Sequence, residues 1–397
     1  MSKPFIRYLV SSPHGDIPAD ESKWDLPLEG DELRTPYRIY FHTIRDFLSK
    51  DEFSPFLSSI SQQHGKEIRL NEVDEIVIRT EKHGLLYHPA SIEIVLKGDK
   101  LKLGLNVAVT DVGRHWLKVE WDVLQKLRSK YDYPYLPKAH MFSNFYGMSF
   151  LLEDWFEGYH EFHISKDQNG THRLKLWDFY QGYQYLTSEQ SFEIYKQTSK
   201  ILTLYYDPDD FSEIFPWHHA AGDFVVKIED ENNPSESPLW KRGDRGDFKE
   251  GVGGCSDIKI DVRLTTARRY EPFIGFADRN TLNPLLSLCY YLLNLTIRMR
   301  LDKLDGLGEV VWIENKCVEA TLRGFFDALT LKVDFTNSIG NTEGFLTLLL
   351  SFSVNDLRTL VNPLLEQYRG TGDFSAVISN LDKHIEELYV TLQNLPL

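Results

Sequence analysis

Cysteine is scarce in this chain. The 397 residues include three cysteines, Cys255, Cys289 and Cys317, with no CxxC spacing among them. A cysteine-based zinc site or a disulfide framework would need paired or closely spaced cysteines. The sequence therefore argues against both and predicts a protein of the reducing cytoplasm.

An excess of basic residues and a long apolar run are also missing. The formal net charge is −15, so we expect no broad binding to nucleic acid or to an anionic membrane, since both require a basic face. The most apolar stretch, residues 285–297, is too short to span a bilayer and predicts a buried helix. The first residues lack the apolar core of a signal peptide.

The motifs of several large enzyme classes do not occur. We find no GxSxG, GxxxxGK[ST], HExxH or GxGxxG pattern. Two pairs of histidines, His160 with His163 and His218 with His219, leave open a hydrolase that works through a bound Zn²⁺. The alternative is that these side chains form ordinary hydrogen bonds in aromatic-rich strands.

The first half of the chain has the patterns of a small sheet with one helix. The composition is 42% hydrophobic and 13% aromatic, which is ample for a core. Alternating or apolar stretches predict strands at 75–80, 91–96, 101–109 and 148–156, with a hairpin turn at 97–100. Helical spacing from a cap at Thr110 or Asp111 predicts a helix to about residue 129.

The second half is predicted to be largely helical. Helical patterns cover residues 188–206, 282–300, 315–330, 341–350, 354–369 and 374–394. Residues 231–254 are polar and rich in glycine, proline and serine, and resemble the translated interspersed repeats of some bacterial genomes. We interpret them as a surface insertion in a bacterial protein, with a substrate lid as the alternative.

Two short segments each place an aspartate beside an apolar, strand-like stretch. They are residues 217–224, which contain Asp223, and residues 258–263, which contain Asp261. Two carboxylates on adjacent strands are typical of a site that handles Mg²⁺ and a phosphoryl group. The structural alternatives are a turn aspartate that caps backbone groups, for Asp223, and an ion pair with Arg263 or Arg268, for Asp261.

This arrangement resembles the aminoglycoside phosphotransferase and choline kinase branch of the protein-kinase-like fold, over roughly residues 70–330. The resemblance implies an α+β, two-lobed fold with a small antiparallel-sheet N-lobe that holds ATP and a larger, mainly helical C-lobe. It implies an N-lobe at 66–158 and a C-lobe at 159–397 that carries the catalytic-loop-like segment and the insertion. Residues 1–65, which carry Pro13, Pro18, Pro27 and Pro36 and then a helical pattern around residues 40–57, are interpreted as an N-terminal extension that packs on the main body.

Five residues of the implied N-lobe resemble nucleotide-binding positions. Gly84 and Tyr87 lie where the family has its phosphate loop, and Asn106, in the strand-like stretch 105–109, stands where the family has its ATP-binding lysine. Glu120 resembles the helix glutamate that pairs with this lysine, and Glu153 belongs to a segment that resembles the hinge strand at the adenine.

In the implied C-lobe, Asp223 resembles the catalytic base and Asp261 the Mg²⁺ ligand. Three positions depart from the family: Asn106 replaces the lysine, Ile228 replaces the second metal-binding asparagine, and Ala221 replaces a histidine. An amide cannot neutralise the ATP phosphates or form the ion pair with Glu120. Lys102 and Lys118 are the nearby cations that could take its place.

We therefore expect a phosphotransferase that uses ATP and Mg²⁺ and acts on a hydroxyl group of a small molecule. The first alternative is a catalytically inactive pseudokinase that binds or scaffolds a protein partner, and the second is the metal-dependent hydrolase.

Overall fold

The computed structural model describes residues 4–12, 15–20, 22–81, 83–84, 86–178, 182–230, 258–273, 283–306, 308–313, 316–332, 335 and 340–395. The chain is a mixed α+β protein that divides into two compact units, an N-terminal unit, Met1–Glu157, and a C-terminal unit, Gly158–Leu397. The predicted insertion, residues 231–254, lies outside the described residues, as does Cys255.

The N-terminal unit is built on a seven-stranded sheet with the strand order β2-β1-β3-β4-β5-β7-β6. All neighbouring strands are antiparallel except β1 and β3. The strands are β1 (Phe5–Val10), β2 (Ile17–Pro18), β3 (Val73–Thr80), β4 (Ala90–Leu96), β5 (Asp99–Ala108), β6 (Ala139–Phe145) and β7 (Met148–Asp154). The four strands predicted from the first half of the chain are confirmed as β3, β4, β5 and β7.

The residues predicted as an N-terminal extension contribute to this same sheet and its core. β1 pairs along its whole length with β3, and two helices, α1 (Tyr37–Leu48) and α2 (Ser54–His64), place their apolar faces in the core. The Phe47 ring stacks on Phe150 of β7 with 4.8 Å between ring centroids. A single helical pattern around residues 40–57 is thus divided, because positive φ angles at Asp51 and Glu52 break the helix.

The predicted helix after β5 is confirmed as α3 (Asp111–Lys130), and Thr110 caps it by accepting a hydrogen bond from the Gly113 amide at 3.0 Å. Its buried row includes Leu117, Glu120, Leu124 and Leu127. Glu120 therefore lies on the face of the helix that packs against the protein, at the spacing of an apolar residue. A carboxylate in such a row must be paired, hydrogen-bonded or protonated, since burial disfavours its charge.

The C-terminal unit contains a five-stranded sheet, of which the sequence patterns indicated only the strand-like stretches beside Asp223 and Asp261. Its order is β10-β9-β8-β12-β13. The unit's strands are β8 (His160–Lys166), β9 (His172–Asp178), β10 (Gly182–Tyr185), β11 (Ser212–Ile214), β12 (Phe224–Asp230), β13 (Ile258–Leu264), β14 (Tyr270–Pro272), β15 (Leu301–Lys303) and β16 (Val310–Trp312). The prediction of a mainly helical C-lobe missed this sheet because histidines and charged residues interrupt the apolar positions of β8 and β9.

The remaining described elements of the C-terminal unit are helices, close to the predicted ranges. They are α4 (Ser188–Tyr205), α5 (Pro284–Arg298), α6 (Lys316–Leu331), α7 (Thr342–Ser351), α8 (Val354–Val361) and α9 (Phe374–Gln393). The last part of the predicted helix 354–369 is a 3₁₀ segment, Asn362–Gln367. The apolar run 285–297 forms α5 and is largely buried, as predicted.

Helices α4 and α6 approach each other closely at one glycine. Ser199 of α4 donates a hydrogen bond to the Thr321 carbonyl at 2.7 Å. A Cβ atom placed on Gly324 would lie 1.9 Å from the Lys196 carbonyl oxygen. The absence of a side chain at Gly324 therefore sets the distance between these two helices.

Two further observations concern the reactivity of the cysteines and the possibility of a membrane-spanning helix. Cys289 and Cys317 are free and buried, and burial raises the pKa of each thiol to about 12, so neither is a reactive thiolate. In the described part of the chain, no single helix combines the length and apolar composition needed to cross a membrane. One pair of helices, Thr342–Ser351 with Val354–Gln367, meets that test together, but it is bent by 104°.

Candidate functional site

Asp223 lies at the end of a tight turn, His219–Asp223, immediately before β12. Its carboxylate is 2% exposed, and Oδ1 is 2.8 Å from Nη2 of Arg268. Oδ2 accepts a hydrogen bond from the His218 amide at 2.9 Å. Each oxygen of the predicted catalytic base thus already accepts a hydrogen bond within the C-terminal unit.

The turn is held by its neighbours on both sides. Gly222 has a φ of 79°, and a Cβ atom there would lie 3.0 Å from Oε1 of Glu161. The Thr265 hydroxyl donates to the Gly222 carbonyl at 2.7 Å, and the Thr265 amide donates to the Asp223 carbonyl at 2.8 Å. These contacts fix the backbone around Asp223 and explain why a glycine precedes it.

Asp261 lies within β13 and is engaged by Arg263 on the same strand. The guanidinium contacts both carboxylate oxygens, at 2.7 Å for Oδ1 and 2.8 Å for Oδ2. The Tyr159 hydroxyl donates to Oδ2 at 2.9 Å. Burial, followed by this hydrogen bond, raises the pKa of Tyr159 to about 12. The predicted metal ligand is therefore part of a side-chain network of an arginine and a tyrosine.

The two acidic segments lie on neighbouring antiparallel strands, but their carboxylates are offset along them. Lys227 of β12 is opposite Asp261, and Phe224 is opposite Leu264. Asp223 lies opposite Thr265, whose amide donates a hydrogen bond to the Asp223 carbonyl. The step from residue 261 to residue 265 corresponds to roughly 13 Å along a strand. Two aspartates that far apart do not reach one Mg²⁺ ion, whose oxygen ligands lie at about 2.1 Å.

In the N-terminal unit, Asn106 is bonded to Glu153. The Asn106 amide donates to Oε1 of Glu153 at 2.9 Å. Glu153 is buried, and burial, then the nearby charge of Glu120, raises its pKa well above the ordinary value. Glu120 is itself 1% exposed. The lysine position of the implied nucleotide site is thus part of a buried cluster with two carboxyl groups.

The two lysines that could replace the missing one have other partners. The Lys102 ammonium lies 4.0 Å from the Trp155 ring centroid and 3.9 Å from Oε1 of Glu81, and burial lowers its pKa. The Lys118 ammonium contacts both oxygens of Asp122, at 2.5 and 2.6 Å, on the exposed side of α3.

The segment expected to resemble a phosphate loop connects β3 to β4. The Gly84 amide donates to the Tyr87 carbonyl at 3.0 Å. A Cβ atom on Gly84 would meet only that carbonyl, at an ordinary 3.8 Å. The backbone geometry of this segment therefore does not require a glycine at position 84.

The histidines do not gather around a common point in the described residues. His160 and His163 lie on β8, where residues three apart face opposite sides of the sheet. The buried His219 instead pairs with Asp302, with 3.2 Å between Nδ1 and Oδ2. No three His, Cys, Asp or Glu side chains among the described residues form a group that could hold a metal ion.

Comparisons with known proteins add little to this geometry. No protein-family model and no curated protein matches the chain. The solved structure of a kinase domain is similar to it at a TM-score of 0.27 and 8% sequence identity, over 81% of this chain and 92% of that one. A TM-score at this level does not assign a fold or a function.

Sequence reasoning proposed the candidate residues but missed most of the partners that the structure gives them. Glu161, Thr265 and Asp302 gave no sequence signal, because each meets its partner only when segments distant in the sequence come together in the fold. Arg263 and Arg268 were considered as partners of Asp261, and Arg263 is that partner. The roles assigned to Gly84, Tyr87, Asn106, Glu120, Glu153, Asp223 and Asp261 remain predictions.

Proposed function

We propose that this chain is a kinase-like binding or scaffold module and not a phosphotransferase. One observation carries this proposal: each of the two aspartates expected to handle phosphoryl transfer is neutralised by an arginine of its own unit. Arg268 pairs with Asp223, and Arg263 pairs with Asp261.

The arginine pairs oppose both chemical roles. A guanidinium remains protonated at any physiological pH, so a Mg²⁺ ion at Asp261 would have to displace a bidentate partner and the Tyr159 hydroxyl. A base or orienting group at Asp223 would need an oxygen lone pair directed at the acceptor hydroxyl. The Asp223 oxygens accept bonds from Arg268 and from the His218 amide, and with the side chain 2% exposed little of the carboxylate is accessible to an acceptor.

The N-terminal unit supports the same proposal from another direction. Phosphoryl transfer depends on cations that offset the charge of the ATP phosphates. Asn106 supplies no charge and donates to Glu153, close to Glu120. Carboxyl groups at this position would repel phosphate whenever they ionise, so the residues present do not fit the ATP phosphates.

The second candidate is the phosphotransferase that uses ATP and Mg²⁺ and acts on a small-molecule hydroxyl. The observation that favours it is the pairing of β12 with β13, which places the two acidic segments on neighbouring strands. In this candidate Asp223 orients the hydroxyl, Asp261 holds Mg²⁺ after release from Arg263, and Glu120 anchors a cation. Mg²⁺ would supply charge neutralisation of the phosphates.

Phosphate transfer from labelled ATP distinguishes the two candidates. The intact protein and Asp223→Asn would be incubated with Mg²⁺ and acceptors that include sugars, amino alcohols, antibiotics and a protein hydroxyl. We expect no transfer by either protein. Transfer by the intact protein that disappears in a folded Asp223→Asn variant would refute the binding-module proposal and establish the second candidate.

A further inference from the structure

A groove of about 570 Å³ lies in the N-terminal unit, between the first turns of α3 and the hairpin that joins β6 to β7. Its walls differ in chemistry. Arg114, His115 and Lys118 of α3 form a basic wall, and Phe145, Tyr146 and Met148 form an aromatic and apolar wall. Gly84, Tyr87, Asn106, Glu120 and Glu153 do not line this groove, but Lys118, considered above as a replacement for the missing lysine, does.

The basic wall is unusual on a chain with a net charge of −15. Arg114 joins the two sides of the groove, since its Nη1 donates to the Val109 carbonyl at 2.9 Å and to the Gly147 carbonyl at 2.7 Å. Its Nη2 contacts Asp111. A guanidinium has five N–H donors, so Arg114 retains donors for a ligand, and His115 and Lys118 are exposed beside it. Lys118 is paired with Asp122, but the two side chains are 52% and 58% exposed. Because such a surface pair is weak, an acidic ligand can compete for the ammonium.

The aromatic wall includes a residue that is largely exposed and has an unusual backbone conformation. Tyr146 is 75% exposed, and its φ of 46° lies in the left-handed region, followed by Gly147 at 77°. A tight hairpin turn with two positive φ angles favours Asn-Gly. A bulky residue there is strained. Its ring lies 4.4 Å from the Phe145 ring between centroids, and both residues line the groove.

We propose that this groove binds an acidic linear peptide of a protein partner. An apolar side chain of the peptide packs on Phe145 and Tyr146, and flanking carboxylates face Arg114, His115 and Lys118. The charge of the basic wall and the volume of the groove favour a peptide of this kind. Basic groups beside an exposed tyrosine are the chemistry of interface hot spots, and the volume of the groove suits one anchoring side chain with its neighbours. This proposal is independent of the kinase-like site.

The probe is a fluorescein-labelled peptide with one phenylalanine among aspartates and glutamates, titrated by anisotropy against the full chain. Two variants test the walls. Lys118→Glu reverses a charge of the basic wall. Tyr146→Asn removes the aromatic ring, and asparagine fits the positive φ angle of the turn better than tyrosine does. The matched control is Lys100→Glu, an exposed lysine of the same unit that pairs with Glu93 at 2.9 Å, as Lys118 pairs with Asp122.

We expect saturable binding that weakens about tenfold in Lys118→Glu and in Tyr146→Asn and is unchanged in Lys100→Glu. Tyr146→Asn should also unfold at a higher temperature, so its loss of binding is not a loss of fold. Equal weakening by Lys118→Glu and Lys100→Glu, equal binding of a peptide with glycine in place of phenylalanine, displacement by equimolar inorganic phosphate or benzoate, or no saturable binding would each overturn the proposal.

Discussion

Arg268 holds Asp223 through a 2.8 Å contact between Nη2 and Oδ1, while the carboxylate is 2% exposed and the arginine side chain is 28% exposed. The two residues are 45 positions apart in the sequence. The turn before β12 and the segment after β13 are thus joined by an ion pair with one buried end. The arginine satisfies a charge that the fold has removed from water, and this is a structural role for Asp223.

If that role is correct, Arg268→Ala should destabilise the C-terminal unit. The variant leaves a buried carboxylate with one fewer partner, and we expect a loss of about 1–3 kcal/mol in the free energy of unfolding. Urea unfolding measures this loss. The control is Arg269→Ala, whose partly exposed arginine lies 3.5 Å from the exposed Glu271 and should change stability by less than about 0.5 kcal/mol. Equal stability of the two variants would contradict the structural role.

Glu153→Gln should flatten the dependence of stability on pH. The pKa of Glu153 in the folded protein is raised, so the folded state binds more protons than the unfolded state above the unfolded pKa. Stability then falls as pH rises from about 4.3 toward the folded pKa. Glutamine keeps an oxygen for Asn106 and carries no charge. We therefore expect the variant to be more stable than the intact protein at neutral pH.

This pH effect is measured by urea unfolding at intervals between pH 4 and 8. The exposed Glu67, 3.6 Å from Arg69, provides the control Glu67→Gln, which should leave the slope unchanged. A Glu153→Gln variant with the same slope as the intact protein would show that the buried carboxyl does not titrate as described.

Gly324→Ala should strongly destabilise the pair of helices α4 and α6. The added Cβ atom would lie 1.9 Å from the Lys196 carbonyl oxygen, a backbone atom that moves only if the helices separate. We expect a loss of about 3 kcal/mol, seen as a lower midpoint in thermal unfolding. At Gly372 a Cβ atom would meet nothing within 4 Å, so Gly372→Ala should be neutral or slightly stabilising. Similar midpoints for both variants would refute the close approach.

Local patterns predicted those elements whose signals are local. The cap at Thr110, the apolar spacing of α3, the alternation in β4 and the helices from α5 onward all follow from neighbouring residues. The pairing of Asp261 with Arg263 could also be predicted, because residues two apart on a strand lie on the same face of the sheet. The same reasoning missed most of the five-stranded sheet, because histidines and charged residues interrupt the apolar positions of β8 and β9.

The candidate site was harder to predict, because its properties depend on contacts between distant residues. Nothing near Asp223 in the sequence indicates that Arg268 will reach it. Glu120 and Glu153 are 33 positions apart and affect each other only because α3 packs on the sheet. The sequence gives the residue types at these positions, and the fold decides whether each carboxylate is free, paired or protonated.

The most direct test of the binding-module proposal is calorimetry of ATP binding, with and without Mg²⁺, on the intact protein and on Asp261→Ala. Because Arg263 and Tyr159 hold Asp261, and Asn106 replaces a phosphate-binding cation, we predict no Mg²⁺-dependent binding at millimolar ATP in a folded protein. Micromolar binding that requires Mg²⁺ and is lost in Asp261→Ala would contradict the proposal and identify Asp261 as a metal ligand.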